Sequence, residues 1–301
     1  MSSILSGADE IVDEIFQIKN IGKSAPRYHY RTCWKRLSEK PPAGPKGKRL
    51  LQKMYRRIVR NWKNSQSKSP RTASTQNWRF EKVLDISKKN ASLEVKLERA
   101  IVRLTDESWV NQVPTSSGLA GPRADKRRAI DLVRRFGKKK YEFIELKIDS
   151  DTPLYAAIEI VTYGLLYLFS RNYFGPLGYR EINSEILEAN SIHLKILAPK
   201  NFYGKFDLRW LEEIINDELS MPLNSDQPPQ IKMDFRFEIL PISVILKKAS
   251  WGSAEILESL ASRSPAYVWP ASKTPAGSSL EATWSLLFKK TAHEKPHQAG
   301  G

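Results

Sequence analysis

The sequence predicts a mixed-sheet α/β domain with helices on both faces. Three observations lead there. Helix-period and strand-period segments follow one another from about residue 92 to residue 240 as helix, three strands, helix, strand, helix, strand. Hydrophobic residues make up 41% of the 301 residues, close to the globular average, so a core of ordinary size is available. The net charge of +16 is concentrated near the N-terminus, which leaves the patterned part of the chain almost neutral.

Residues 1–80 read as a basic, partly helical extension ending in a polar linker. In ADEIVDEIFQIK, Ile11, Ile15 and Ile18 share one helical stripe with acids opposite. RYHYRTCWKRLSEKPPAGPKGK then interleaves aromatics with bases until a Pro/Gly cluster interrupts it. KRLLQKMYRRIVRNWK predicts a basic amphipathic helix. Leu51, Met54, Tyr55, Ile58 and Trp62 form its apolar stripe, and Lys48, Arg49, Lys53, Arg56, Arg57, Arg60 and Lys63 surround it. NSQSKSPRTASTQN is the linker.

The domain expected over 81–250 begins with the helix SLEVKLERAIVRLT, capped by Asn90 or Ser92, with Leu93, Leu97, Ile101 and Leu104 inward. A strand around WVNQV follows, then a loop with Gly118, Gly121 and Pro122. RRAIDLVRRF and YEFIELKID are strands separated by GKKK, the spacing of a hairpin. Asp151 or Thr152 caps the long helix PLYAAIEIVTYGLLYLFSRNY, with Pro153 in its first turn. SIHLKILAP is a strand, RWLEEIINDEL a helix and KMDFRFEIL an alternating strand. Over 251–301, Ser, Pro, Gly and Ala with isolated tryptophans predict a loosely structured tail.

The charge bears on partners. Between Arg27 and Arg71 stand fifteen Lys and Arg against one acid, Glu39, a balance of +14. Such a concentration suits a polyanion, nucleic acid first and an anionic membrane surface second. A solvated basic arm with no fixed partner is the plainer alternative. No run reaches the roughly 18 uncharged apolar residues of a membrane span, and the longest candidate, 156–169, is interrupted by Glu159. MSSILSGADEIVDEIF has no basic region ahead of an apolar run, so a secretory signal is not expected. Cys33 is the only cysteine, which excludes an intrachain disulfide framework or a multi-cysteine zinc site and fits a reducing cytoplasm. His29, His193, His293 and His297 show no metal-ligand spacing.

The stretch YEFIELKID poses a chemical question. Glu145 and Lys147 lie two apart, so on a strand both project from one face. Buried charges are costly unless paired or bound to an ion. A salt bridge between them is one answer, worth ~0.2–1 kcal/mol. Asp131, within AIDLV and fourteen positions before Glu145, offers another. If the strands pair through GKKK, Asp131 and Glu145 sit at one level of the sheet beside Lys147. Two carboxylates that close repel, and a divalent cation relieves the repulsion. Oxygen ligands select Mg²⁺ or Mn²⁺, and a cation beside an ammonium makes a phosphodiester-hydrolysing site.

AIDLV, then FIELK, then a helix with an acid and a tyrosine resembles the PD-(D/E)XK nuclease superfamily. That family has the restriction-endonuclease-like αβββαβ core, a mixed sheet with flanking helices, and the similarity runs from Ser92 to about Pro199. The resemblance implies that Asp131 and Glu145 bind metal together with the Leu146 backbone carbonyl, and that Lys147 is the motif lysine. It implies a further ligand from the first helix, Glu98 in KLERAI. Exonuclease-type members carry a glutamine and a tyrosine four apart on the next helix. Glu159 and Tyr163 in IEIVTYG match that spacing, with Glu in place of Gln, and stand as second-layer candidates. The pattern is degenerate at one point, since Ile130 rather than proline precedes Asp131. Asp125 in GPRADK is a rival first ligand, but it sits among loop residues. An acid-x-lysine triplet alone is weak, because Glu94-Val95-Lys96 matches it on a helix.

The function implied is a cytoplasmic, Mg²⁺- or Mn²⁺-dependent deoxyribonuclease hydrolysing phosphodiester bonds of DNA. Its basic segment, with Arg49, Lys53, Arg56, Arg57, Arg60 and Lys63, would neutralise phosphates, and Tyr28, Tyr30, Trp34 and Trp62 would stack on exposed bases. A catalytically inactive nucleic-acid-binding or scaffolding protein retaining the fold is the second reading, and intact Asp131, Glu145 and Lys147 argue against it. A membrane-surface protein using the basic helix is the third.

Overall fold

The two described helices before residue 80 form because each has somewhere to bury its apolar stripe. The structure is a computed structural model and describes residues 4–17, 30, 49–67, 72–85, 92–117, 128–148, 150–182, 184–204, 207–223, 231–241 and 251–267. Helix α1 (Ala8–Ile15) buries Ile11, Val12 and Ile15, and helix α2 (Leu50–Gln66) buries Leu51, Met54, Tyr55, Ile58 and Trp62. Arg49 gives α2 no side-chain cap. Glu218 supplies one instead, accepting the Leu50 and Leu51 amides at 2.7 Å each and so satisfying two of the orphan donors of the helix end.

Helix α3 (Leu93–Leu104) starts at Ser92, whose hydroxyl accepts the Val95 amide at 3.2 Å. Strands β1 (Trp109–Pro114), β2 (Ala129–Gly137) and β3 (Lys140–Leu146) follow. Helix α4 (Pro153–Asn172) is capped by Thr152, which accepts the Tyr155 amide at 3.2 Å. Then come β4 (Ser191–Ala198), α5 (Arg209–Leu219), β5 (Lys232–Ile239), α6 (Ser253–Ala261) and the short β6 (Ser264–Pro265). The six strands lie in the order β1-β2-β3-β4-β5-β6. Pairing is antiparallel from β1 to β3, parallel from β3 to β5, and antiparallel again at β6. Parallel neighbours need crossovers, which α4 and α5 provide.

Strand alternation divides the core between two faces. Leu132, Ile144, Leu146 and Leu197 join Leu97, Ile101 and Val102 of α3 and Ile256 and Leu260 of α6 in one cluster. Phe143 points the other way, with its ring centroid 6.2 Å from Trp78 and 5.5 Å from Tyr167 of α4. Gly164 lets α4 lie close on β4, since a Cβ there would meet Leu194 Cδ1 at 2.7 Å. By length and composition α4 could cross a membrane, but nearly all of it is buried between the sheet and α2, as a core helix is.

An ion-pair lattice closes the α6 side of the sheet. Glu142 meets Lys195 at 2.7 Å, Arg263 at 3.3 Å and Arg134 at 3.6 Å. Glu238 meets Lys195 at 2.6 Å and Arg263 at 3.4 Å. Arg134 and Arg263 also lie over the Trp109 ring, 5.3 and 5.6 Å from its centre. Burial pushes the Glu142 carboxyl up, but the three cations outweigh it and hold the group below its ordinary range.

Three sequence expectations change. The basic helix α2 is no detached arm: Trp62, only 7% exposed, packs on Phe169 of α4 and on Tyr173 just past its end, at 5.4 and 4.7 Å. Residues 251–267, read as the start of a loose tail, hold α6 and β6, because Trp251, Ile256 and Leu260 complete the core beneath α3. All elements so far described belong to one unit, Met1–Ala266, while residues 268–301 lie outside the described residues. Strand β3 ends at Leu146, so Lys147 stands one position past it, although its amide still donates to the Leu197 carbonyl at 3.1 Å.

Candidate active site

The hairpin register brings the acids together. Leu132 pairs with Ile144, so one further step sets Asp131 opposite Glu145. On the other side Asn111 pairs with Leu132 and Val113 with Ile130, which aligns Gln112 with Asp131. Asp131 Oδ2 accepts the Leu146 amide at 3.0 Å. Glu145 is 3% exposed; its Oε1 meets Lys147 Nζ at 2.8 Å, and its Oε2 is buried with no hydrogen-bond partner among the described residues.

Helix α4 contributes the next layer. Tyr155, Glu159, Tyr163 and Tyr167 recur every four residues, and Tyr167 meets Phe143 on the Glu145 face of the sheet. Glu159 Oε2 lies 3.5 Å from Lys147 Nζ, and Glu159 Oε1 accepts the Tyr163 hydroxyl at 3.2 Å. Asp151 Oδ2 meets the same ammonium at 3.2 Å. Lys147 is therefore shared by Glu145, Asp151 and Glu159.

Negative charge exceeds what one ammonium can neutralise, and the titration shifts show it. Burial, with the nearby Glu98 charge, pushes the Asp131 carboxyl up to about 7 against the pull of Lys147. Burial, then Asp131 and Glu159, drive Glu145 well above its ordinary value. Burial alone would lower Lys147, but Glu145, Glu159 and Asp131 reverse the sign and hold it firmly protonated. A proton or a cation relieves such a cluster.

Glu98, predicted as a ligand, is buried near Asp131 but spends its oxygens elsewhere. Oε1 accepts the Asn111 amide at 2.6 Å and pairs with Arg99, while Oε2 accepts the Gln112 amide at 2.8 Å. Among the described residues no three His, Cys, Asp or Glu side chains are grouped to hold a metal ion as they stand. The donor set nearest to doing so is the Asp131–Glu145 pair with the unpartnered Glu145 Oε2. Leu146 follows Glu145 on β3, its amide already given to Asp131. The rival Asp125 lies outside the described residues.

Sequence reasoning gave no site role to Asn111, Gln112, Asp151 or Glu94, reading Asp151 only as a cap candidate and Glu94 only as a chance acid-x-lysine match. Two adjacent amides inside the apolar run WVNQV were a usable signal, since on a strand one of them must face inward. Gln112 also has φ 49°, a left-handed backbone unusual for a strand residue.

The basic face lies apart from this cluster. Arg49, Lys53, Arg56, Arg60 and Lys63 are exposed and Arg57 is half-buried, with Lys53 paired to Glu14 at 3.3 Å. Helix α2 packs at the end of α4 that carries Phe169 and Asn172, with Tyr173 just past it, about 15–20 Å along the helix axis from Glu159. Of the predicted base-stacking aromatics, Trp62 is in the core, and Tyr30 is buried beside Tyr155 with its hydroxyl on Asp9. Neither ring is open to a base. Tyr28 and Trp34 lie outside the described residues.

The chain matches no known family model, no curated protein and no solved structure.

Proposed function

We propose that the protein is a divalent-metal-dependent nuclease that hydrolyses phosphodiester bonds of DNA in the cytoplasm. One observation carries this reading: Asp131 and Glu145 converge from adjacent strands beside the Lys147 ammonium, with a buried carboxylate oxygen left unpartnered. The chain order of α3, three antiparallel strands, α4 and a strand parallel to β3 supports the resemblance to the PD-(D/E)XK superfamily. The excess of carboxylate charge supports Mg²⁺ or Mn²⁺ as the cation, held by Asp131 and Glu145. When bound, such an ion polarises a phosphoryl oxygen and acidifies water.

The chain's own groups then divide the remaining work. Lys147, held protonated by its carboxylate neighbours, is a donor rather than a base. It steadies the charge that grows on the phosphoryl oxygens or orients the attacking water. Glu159, fixed by Tyr163, positions that ammonium. The exposed bases of α2 neutralise phosphates away from the cut. A substrate that meets both regions extends about 15–20 Å, or roughly four to six nucleotides at about 3.4 Å each.

A second reading, a nucleic-acid-binding or scaffolding protein that does not cut, is favoured by Glu98, whose oxygens are committed to Asn111, Gln112 and Arg99. One experiment separates the two. Purified protein is given Mg²⁺ or Mn²⁺ with linear, circular, single-stranded and forked DNA, with EDTA as control. Cleavage is expected in metal only. Glu145→Gln and Lys147→Ala should each slow it about 10²–10³-fold, the first with weaker Mn²⁺ binding by calorimetry and the second with Mn²⁺ binding retained. Wild-type protein that binds no Mn²⁺, or cleavage that survives both substitutions, refutes the nuclease.

A further inference from the structure

The connection between β3 and α4 is held from outside the acidic cluster. Glu94 stands in the first turn of α3, two residues after the cap Ser92. Its Oε1 accepts the Ile148 amide at 2.9 Å and the Ser150 hydroxyl at 2.6 Å. Ile148 is buried in the cluster beneath α3 and lies just past the end of β3, so the Glu94 carboxylate takes over where the strand's ladder stops. At its two ends the same turn carries Lys147, tied through its amide to the Leu197 carbonyl, and Thr152, the cap of α4. Between them Asp151 adopts a left-handed φ of 61° and turns its carboxylate onto Lys147 Nζ at 3.2 Å. A non-glycine residue holds that backbone only where its surroundings impose it.

We propose that Glu94 is a positioning residue for Lys147. By holding the Ile148 amide and the Ser150 hydroxyl it sets the ammonium among Glu145, Asp151 and Glu159, and fixes where α4 begins relative to β3. The inference rests on the reading of Lys147 as the catalytic ammonium. The lysine side chain is long and flexible, so its head is placed only as well as its backbone and partners are held. A displacement near 1 Å at a reacting group costs up to about 10²-fold in rate.

A purely local role makes a different prediction. An acid in the first turn also favours the helix through its charge, and glutamine loses that benefit. Positioning needs only an acceptor oxygen, which glutamine keeps. The variants are therefore Glu94→Ala, Glu94→Gln and Ser150→Ala. Two measurements are made on each, namely kcat and KM for Mn²⁺-dependent cleavage of a DNA duplex, and amide hydrogen exchange at Ile148. The Leu146 amide, held by Asp131, serves as internal reference.

Glu94→Ala should lower kcat about 10- to 10²-fold with KM unchanged, and Ile148 should exchange faster while Leu146 does not. Glu94→Gln should recover most of the rate and the protection. Wild-type kcat in Glu94→Ala, an Ile148 that stays protected, or failure of glutamine to rescue overturns the proposal. If the wild-type protein does not cleave DNA, the nuclease reading falls by itself. Exchange then decides the positioning: a loosened Ile148 in the alanine variant keeps Glu94 as the holder of this turn, and an unchanged one removes it. If Glu94→Ala does not fold, Ser150→Ala decides, with a smaller kcat loss at constant KM supporting the role and wild-type behaviour overturning it.

Discussion

Replacing Asp131 by asparagine removes one carboxylate from the cluster and keeps an oxygen for the Leu146 amide. Burial and the Glu98 charge raise the folded-state pKa of Asp131 from its ordinary 3.8 to about 7. A carboxyl whose folded pKa is raised stabilises the fold fully only below its unfolded pKa, and that contribution is lost as pH rises through the folded value. For Asp131 the window runs from about pH 4 to about pH 7. Three units correspond to about 4 kcal/mol, and sharing with the neighbouring carboxylates trims this to roughly 2–4 kcal/mol. In EDTA at pH 8, Asp131→Asn should therefore raise Tm by roughly 5–10 °C, and at pH 5 by roughly 2–4 °C. Thermal unfolding by circular dichroism at the two pH values measures the difference. The metal proposal adds an arm, in which Mn²⁺ at about a hundred times its Kd stabilises the wild-type protein by about 2.7 kcal/mol and the variant by much less. An equal gain at both pH values, or none at pH 8, would show that Asp131 does not carry the unrelieved charge.

The joint substitution Arg56→Glu, Arg60→Glu and Lys63→Glu, all on the exposed face of α2, should weaken DNA binding. The slope of log K against log salt should fall by about 3 in anisotropy titrations; an unchanged slope excludes α2 as the contact. Trp62→Ala should cost ~3–5 kcal/mol in urea unfolding, because Trp62 packs on Phe169 and Tyr173. For the same reason, removing residues 1–75 should unfold the domain rather than trim a separate arm. Glu142→Gln removes one carboxylate partner of Lys195, Arg263 and Arg134 while Glu238 stays on Lys195 and Arg263, and should cost ~1–3 kcal/mol at neutral pH. Since Glu142 is held below its ordinary range, its contribution is present above about pH 4.3 and lost on acidification. The variant's acid unfolding profile should accordingly be shallower than the wild type's.

Much of the candidate site was legible because its geometry is local. Asp131 and Glu145 belong to strands joined by a two-residue turn, but the register shifts by one residue between Arg135 and Gly137; carried on unshifted from the turn, Asp131 would stand opposite Leu146, and the shift sets it opposite Glu145. Once that register is set, a period of two puts both acids on one face. Glu159 and Tyr163 were equally readable, as neighbours four apart on a helix whose cap stands a few residues past Lys147. Glu98 shows where the pattern stops informing. Its helix and position were foreseeable, but whether its carboxylate joins Asp131 or turns to Asn111 and Gln112 depends on how α3 packs across β1. The reach of Glu94 to Ile148 spans 54 positions and had no signature beyond a first-turn acid.

By itself, then, the sequence determined the elements from α1 to β5, the β2–β3 hairpin and the uneven charge, and narrowed each of two helix caps to a pair of residues. Each of these follows from interactions within about a dozen residues, where periodicity and side-chain chemistry dominate. Tertiary structure alone decided what lies against what. It set α2 on α4 with Glu218 as its remote cap, drew α6 and β6 out of an apparently loose tail, and closed the lattice around Glu142 and Glu238. Burial is a property of the whole packing, and a stripe such as Leu51, Met54, Ile58 and Trp62 states that a partner surface is needed without stating which. The same basic helix could have lain on DNA, on a membrane or on its own domain. Its apolar side went to the domain because α4 and α5 offered a surface already in place, at no further cost in association entropy.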